Sequence, residues 1–288
     1  MNFRNAGLKE RLQQQDILVA PGAPDALIAK IIEKNGFEAV YVTGGGISYT
    51  TLGKPDIGLI TMSEMVQKAS YIAEAVNVPV ITDADTGYGN PLNVIRTVKE
   101  FERAGVSAIQ LEDQVFPKRC GHMAGKALIT KEEMVAKIKA AVDARNDENF
   151  LIIARTDAIA VGALEEAIER GIAYQEAGAD VLFVEAPEEI EEMIKITDSF
   201  DIPQLANMVE GGKTPLLSAK ELEQIGYKIV IFPNSAVRIM AKAVWELMQE
   251  IKTKGTTKHY TDNMFLFDQL NDLLDQNQLQ QLEKKYLY

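Results

Sequence analysis

Short apolar runs rich in β-branched residues recur along the chain, and each is followed by a longer stretch whose apolar residues fall three and four apart. The runs cover residues 17–20, 39–42, 78–82, 108–111, 151–154, 181–184, 203–206 and 229–232. Runs of this kind predict strands buried on both faces. The stretches between them (24–34, 63–75, 94–104, 131–145, 163–177, 188–197 and 218–225) predict the helices that cover those strands. Gly36, Gly105, Gly178 and Gly226 stand where such helices need a C-cap. Eight βα units in series predict an α/β fold, a closed (β/α)8 barrel of the TIM type. No linker or low-complexity tract divides the chain, so residues 1–288 are expected to form one barrel domain. After strand eight, a helix over 236–252 leads into a C-terminal extension over about 254–288. There a second helix (261–286) carries Phe265, Phe267, Leu270, Leu274, Leu279 and Leu282 on an apolar face that needs a partner, such as another subunit.

Composition narrows the function. Hydrophobic residues at 47% suffice to fill a barrel core. A formal net charge of -12, with no basic stripe interleaved with aromatics, argues against nucleic acid as a partner. No run reaches bilayer-spanning length and the N-terminus lacks the apolar core of a signal peptide, so a cytoplasmic protein without membrane contact is expected. A single cysteine, Cys120, excludes an intrachain disulfide and a multi-thiolate metal site. With only two histidines, His122 and His259, zinc is disfavoured, and a metal would be held by oxygen.

Barrel active sites are built where the strands end. Strand two runs into Thr43-Gly44-Gly45-Gly46, strand three into Asp83-Ala84-Asp85, strand four into Glu112-Asp113, and strand five into Arg155-Thr156-Asp157. Strand six meets Glu185, strand seven Asn207 and strand eight Pro233-Asn234-Ser235. Asp113 and Asp157 read most simply as turn formers or helix caps. Asp83, Asp85, Glu112 and Glu185 would repel one another without a cation among them. Mg²⁺ suits that set because it prefers oxygen, keeps waters and takes one or two direct carboxylates; Mn²⁺ is the possible substitute. Asp85 is the candidate direct ligand, with the other three acting through metal-bound water. Arg155 offers a planar fork to a substrate carboxylate, or else pairs with Asp157 or Glu185. Gly44 to Gly46 either bring backbone N–H groups against an anionic oxygen or make a tight turn; a P-loop lysine is absent.

The segment from Phe116 to His122, FPKRCGH, is the most distinctive in the chain. A lone cysteine is ordinarily an inert buried hydrophobe. Here Lys118, Arg119 and His122 flank it on a polar loop, which would favour the thiolate and let the thiol give a proton to a carbanion. A loop of this kind acts as a lid that brings an acid to a site from which water is kept out.

Taken in order, the stretches YVTGGG (41–46), LGKPDIG (52–58), DADTGYG (83–89), LEDQ (111–114), KRCGH (118–122), ARTDA (154–158) and LANMVEGG (205–212) resemble the isocitrate lyase/phosphoenolpyruvate mutase superfamily over nearly the whole chain. The KRCGH loop is similar to that of 2-methylisocitrate lyase, dimethylmalate lyase and carboxyphosphonoenolpyruvate mutase, whereas phosphoenolpyruvate mutases carry Asn-Ser in its place. Gln110 stands where methylisocitrate lyases carry His, and Thr43 where many relatives carry Ser. The resemblance implies a homotetramer, a dimer of dimers, in which the last barrel helix is exchanged between subunits. It implies Asp85 on Mg²⁺, with Asp83 and Glu112 attached through water and Asp56 supporting that network. Thr43, Gly44, Gly45 and Arg155 would hold a pyruvyl unit, with Gly121, Glu185 and Asn207 around the substrate. Lys118, Cys120 and His122 would be catalytic, and Tyr41, assisted by Arg155, would be the base.

The expected reaction is cleavage of the C2–C3 bond of a 2-hydroxy-dicarboxylate or tricarboxylate, of the 2-methylisocitrate or 2,3-dimethylmalate type, to pyruvate and a carboxylic acid. A third carboxylate would need further partners, for which Arg238, Asn234 and Ser235 are available. The competing expectations are carboxyphosphonoenolpyruvate mutase chemistry, decarboxylation or hydrolysis of oxaloacetate, and an inactive barrel serving as a binding protein.

Overall fold

The computed structural model describes residues 3–121 and 125–287, so His122 lies outside the described residues. Eight strands follow one another: β1 (Leu18–Ala23), β2 (Val40–Val42), β3 (Val80–Asp83), β4 (Ala108–Glu112), β5 (Leu151–Thr156), β6 (Val181–Val184), β7 (Leu205–Asn207) and β8 (Ile229–Phe232). They pair in parallel in the order β6-β5-β4-β3-β2-β1-β8-β7. A parallel bridge between Leu182 and Gln204 joins β6 to the residues entering β7 and closes the ring. The expected (β/α)8 barrel is the fold, and its strands are buried on both faces, which is why they read as continuous apolar runs.

Several strands run further than their apolar segments. Asp83, Glu112 and Asn207 are the last residues of their strands, and Arg155 lies inside β5 opposite Glu112 of β4. The backbone ladder continues regardless of side-chain polarity, so the charged layer is carried on rigid sheet rather than on loops. Alternation then sorts each strand. Tyr41, Ile81, Ile153, Phe183 and Ile231 fill the barrel interior, while Val40, Val42, Val80, Ile109 and Ile152 face the helices.

Helix α1 (Phe3–Arg11) sends Leu8 into the interior cluster beside Leu18, Ala39 and Leu151, residues at the strands' N-terminal ends, so it plugs the end opposite the charged layer. The outer ring is α2 (Ala26–Lys34), α3 (Gly44–Ile47), α4 (Met62–Ala75), α5 (Pro91–Arg103), α6 (Lys131–Ala144), α7 (Leu164–Glu176), α8 (Ile190–Asp198), α9 (Ala219–Ile225) and α10 (Ser235–Lys254). Local chemistry starts several of them. Thr61 and Glu64 form a reciprocal cap on α4, as Ser218 and Glu221 do on α9. The four expected C-cap glycines all have positive φ.

The C-terminal extension differs from the expected single helix. It folds as α11 (Phe267–Leu273) and α12 (Gln276–Leu287), broken at Asp275 with φ 60°. The break is held by Lys34 at 2.8 Å and by Lys30, both from α2, on the Asp275 carboxylate. Phe265, Phe267, Leu279 and Leu282 are exposed, as are Ile239, Val244, Trp245 and Met248 on α10. No described helix is long and apolar enough to cross a membrane.

Candidate active site

The residue after each strand was expected to build the site, and the structure brings most of them to one cavity of about 50 Å³. Tyr41, Thr43, Gly45, Asp56, Asp83, Lys118, Cys120, Gly121, Arg155, Glu185 and Asn207 line it; Gly44, Asp85 and Glu112 do not. The volume is far below the ~300–1,000 Å³ usual for drug-sized ligands, so the chamber suits a compact ligand.

The glycines after β2 were read as a loop or tight turn. They form instead the helical turn α3, capped by Thr43, whose hydroxyl accepts the Gly46 N–H at 3.0 Å and donates to Asn234 Oδ1 at 3.1 Å. A Cβ on Gly44 would come within 2.6 Å of Asp83 Oδ2, so only glycine lets this turn lie against the Asp83 carboxylate. A five-residue π-turn, Ser48–Leu52, follows and swings the chain round to Asp56.

Asp83 Oδ1 accepts the Asp85 N–H at 3.0 Å. Asp85 itself has φ 46°, an uncommon conformation for a side chain without glycine's freedom, and such strain concentrates at functional positions. Burial, with Asp83 and Asp56 beside it, lifts the Asp85 carboxyl to about 6 although Lys118 opposes the rise. Burial also pushes Glu112 well above the usual carboxylate range, and its Oε1 is enclosed without a hydrogen-bond partner. Lys118 bridges Asp56 at 2.8 Å and Asp85 at 3.0 Å; burial pulls its pKa down, but the surrounding acids outweigh that and keep it a cation.

Arg155 uses one edge of its guanidinium, Nε and Nη2, on Asp157 at 2.9 and 3.1 Å. Glu112 lies at 3.4 Å and Glu185 at 3.6 Å, and the guanidinium stacks over Phe183 at 4.9 Å. The structural ion pair that the sequence left as an alternative is therefore present on the side-on edge of the guanidinium. Asn207 Nδ2 donates to Glu185 Oε2 at 3.1 Å. Tyr41 donates its hydroxyl to Gln110 Oε1 at 2.9 Å, and burial followed by Asp83 pushes its pKa well up. That environment makes it a poor base.

The two acids read as turn formers have larger roles. Asp113 is a buried hub that accepts the Thr156 hydroxyl at 2.7 Å, the Tyr174 hydroxyl at 2.8 Å, Arg170 at 3.2 Å and the Asp157 N–H at 3.0 Å. Asp157 is enclosed between Arg155 and Lys126; burial alone would raise its pKa, but those cations hold it at about 2. Lys126 was not anticipated, because its role depends on the loop returning through a Gln114–Leu128 bridge. Cys120 is half-buried at the cavity, its N–H donating to the Asp56 carbonyl at 3.2 Å. Arg238 and Ser235 do not face the cavity; both are bound to Glu210.

Around this chamber, Asp56, Asp83, Asp85, Glu112, Asp157 and Glu185 outnumber the described cations Lys118, Lys126 and Arg155. That excess, with the orphaned Glu112 Oε1, fits a divalent cation. Among the described residues no three acids, thiols or imidazoles are placed to ligate one ion together, so the fit is to a hydrated ion with few direct carboxylates.

A (β/α)8 barrel with such a charged layer at its strand ends has the architecture of an enzyme. The chain belongs to the phosphoenolpyruvate phosphomutase family, whose model matches residues 8–252, and it is an enzyme of the isocitrate lyase/phosphoenolpyruvate mutase superfamily. It is 52% identical over 281 residues to 2,3-dimethylmalate lyase of Eubacterium barkeri, covering 98% of this chain and 97% of that one. It is 49% identical over 267 residues to 2-methylisocitrate lyase of Aeropyrum pernix, covering 93% and 86%. The crystal structure of a 2,3-dimethylmalate lyase superposes with a TM-score of 0.94 at 36% identity, covering 99% and 96%. A phosphonopyruvate hydrolase solved with oxalate and Mg²⁺ superposes with a TM-score of 0.90 at 31% identity, covering 99% of each chain.

Proposed function

We propose that this chain is a Mg²⁺-dependent carbon–carbon lyase that splits the C2–C3 bond of a 2,3-dimethylmalate-type 2-hydroxydicarboxylate into pyruvate and propionate. The observation that carries the reading is a half-buried thiol, Cys120, on the wall of a small chamber whose other walls are Arg155 and the strand-end acids. Similarity to 2,3-dimethylmalate lyase over nearly the full length supports it. Asp85, with Asp83 and Glu112, would hold the cation, which supplies Lewis-acid polarisation of the substrate's hydroxyl and carboxylate oxygens.

The chain's own groups divide the remaining work. The end-on edge of Arg155 binds the C1 carboxylate, and the α3 N–H groups face the oxygen that becomes the pyruvate carbonyl. The substrate hydroxyl loses its proton as the C2–C3 electron pair moves to C3. The acceptor is a carboxylate on the chamber wall, where Asp83 and Glu185 stand, rather than Tyr41, whose hydroxyl is held in its neutral form by burial. Cys120 Sγ then protonates C3, and the acid leaves as propionate. Lys118, tied to Asp56 and Asp85, offsets their mutual repulsion and holds the two acids together.

A dicarboxylate is favoured over the tricarboxylate 2-methylisocitrate because Arg238 and Ser235 are engaged by Glu210 and leave no free cation for a third carboxylate there. The exposed apolar faces of α10 to α12 support burial against further copies of the chain, in keeping with a homotetramer whose last barrel helix is exchanged between subunits. The test is pyruvate release with and without Mg²⁺ from 2,3-dimethylmalate, 2-methylisocitrate, citramalate and oxaloacetate, with carboxyphosphonoenolpyruvate supplied in parallel and followed by phosphorus NMR for phosphonate (C–P bond) formation. Mg²⁺-dependent pyruvate from dimethylmalate is expected. Release from oxaloacetate alone, phosphonate formation, or no turnover would each overturn the assignment in favour of its alternatives.

A further inference from the structure

Lys126 is the enclosed cation that no motif announces. Its side chain is 1% exposed, and its ammonium lies 2.8 Å from Asp157 Oδ1 and donates to the carbonyl of Gly121. Asp157 is a fixed post. It grips Arg155 side-on, and its N–H is pinned by Asp113, which Thr156, Tyr174 and Arg170 hold in turn. Gly121 is the other end of the bridge. A Cβ there would fall 2.0 Å from Glu185 Oε1 and 2.6 Å from Arg155 Nη2, so the backbone lies directly on the guanidinium. The preceding residue, Cys120, is tied by its N–H to Asp56. The thiol-bearing turn is thus anchored before the thiol by Asp56 and by Gln114, whose side chain bonds both backbone groups of Arg119, and after it by Lys126.

We propose that Lys126 is a positioning residue for the cleavage reaction: by bridging Asp157 and Gly121 it fixes the Cys120–Gly121 turn against the same Arg155 that binds substrate. The proposal rests on the roles given above to Cys120 and Arg155. One ammonium sets both the reach of the proton donor and the seat of the carboxylate binder, because both meet at Asp157. Without it the Gly121 carbonyl loses its donor, the anchors that remain, Asp56 and the Gln114 side chain on Arg119, all lie on the N-terminal side of the turn, and the thiol opens to solvent. The Arg155–Asp157 pair survives, so substrate binding suffers less than proton delivery.

Cys120 is the chain's single cysteine, so the full-length protein's reaction with dithiobis(nitrobenzoate) reads that thiol alone. In Lys126→Met the thiol is expected to react about fivefold faster or more, as local opening predicts. With dimethylmalate and Mg²⁺, kcat should fall about tenfold or more while KM rises less. Lys126→Gln, which keeps a donor for Gly121 and removes the charge, should lie between the parent and Lys126→Met and serves the comparison if the methionine variant does not fold. Parental thiol reactivity in a folded variant, or a purely thermal destabilisation with parental kcat and KM, overturns the proposal. The thiol measurement needs neither substrate nor metal. Faster labelling in a chain that releases no pyruvate would support the bridge while refuting the lyase reading.

Discussion

Replacing Gly44 by Ala tests whether the α3 turn is fitted to Asp83. The added Cβ would stand 2.6 Å from Asp83 Oδ2 and 3.1 Å from its Cγ. Ordinary carbon–oxygen contacts are about 3.3 Å or longer, so the carboxylate must retreat by roughly 0.7 Å. Asp83 is buried and its other oxygen holds the Asp85 N–H at 3.0 Å, so the retreat also disturbs the strained turn at Asp85. Overpacking of this kind costs about 1–3 kcal/mol, offset by about 0.5–1 kcal/mol from alanine's better helix preference. The net cost is therefore about 0–2.5 kcal/mol, and the expected fall in Tm is at most about 10 °C, at about 2–4 °C per kcal/mol. A displacement near 1 Å at a catalytic group costs about 100-fold in rate, and that is the loss expected in kcat/KM for pyruvate release. Gly7→Ala is the control, because Gly7 is exposed on α1 with nothing near its Cβ; it should raise Tm slightly and leave kcat/KM unchanged. Parental activity in Gly44→Ala would refute the claim that this turn positions Asp83.

Three further outcomes are expected. Cys120→Ala should lose about 100-fold or more in turnover, the usual contribution of a general acid, yet bind substrate as the parent does by calorimetry; unchanged turnover would remove the thiol from the mechanism. Trp245→Glu places a charge on the exposed face of α10, where Trp245 is 66% exposed, and should convert a tetramer to smaller species by light scattering; a parent that is already monomeric would refute the assembly. Asp275 is held at about 2 by Lys30 and Lys34, below its unfolded value of about 3.9. A depressed folded pKa stabilises above the unfolded value and loses that contribution as pH falls through the folded one. The difference in thermal stability between the parent and Asp275→Asn should therefore be complete above about pH 4 and vanish toward pH 2; a difference that persists at pH 2 would contradict the pairing.

The barrel was legible because parallel strands buried on both faces leave continuous apolar runs, and because each strand end points to one face of the ring. That rule alone gathered Asp83, Arg155, Glu185 and Asn207 on one cavity. What stayed hidden depends on contacts between distant residues. Asp113 looks like a turn former by local chemistry, yet its partners Arg170 and Tyr174 lie 57 and 61 residues away. Lys126 looks like a solvated loop lysine until the loop returns to Asp157. The glycines after Thr43 resemble a loop in composition, and their helical turn is decided by the Thr43 cap and the nearby Asp83 carboxylate. Likewise the split between α11 and α12 follows from two lysines on α2, not from the periodicity of the extension.

The central claim is that the C2–C3 bond breaks and the new C–H bond at C3 takes its proton from the protein. Turnover of 2,3-dimethylmalate in D2O with Mg²⁺, followed by NMR, tests it most directly. The account predicts equal amounts of pyruvate and propionate, the propionate carrying one deuterium at C2 in a single configuration, as delivery from the exchanged Cys120 thiol on one face requires. The absence of pyruvate, or propionate without deuterium, would contradict it.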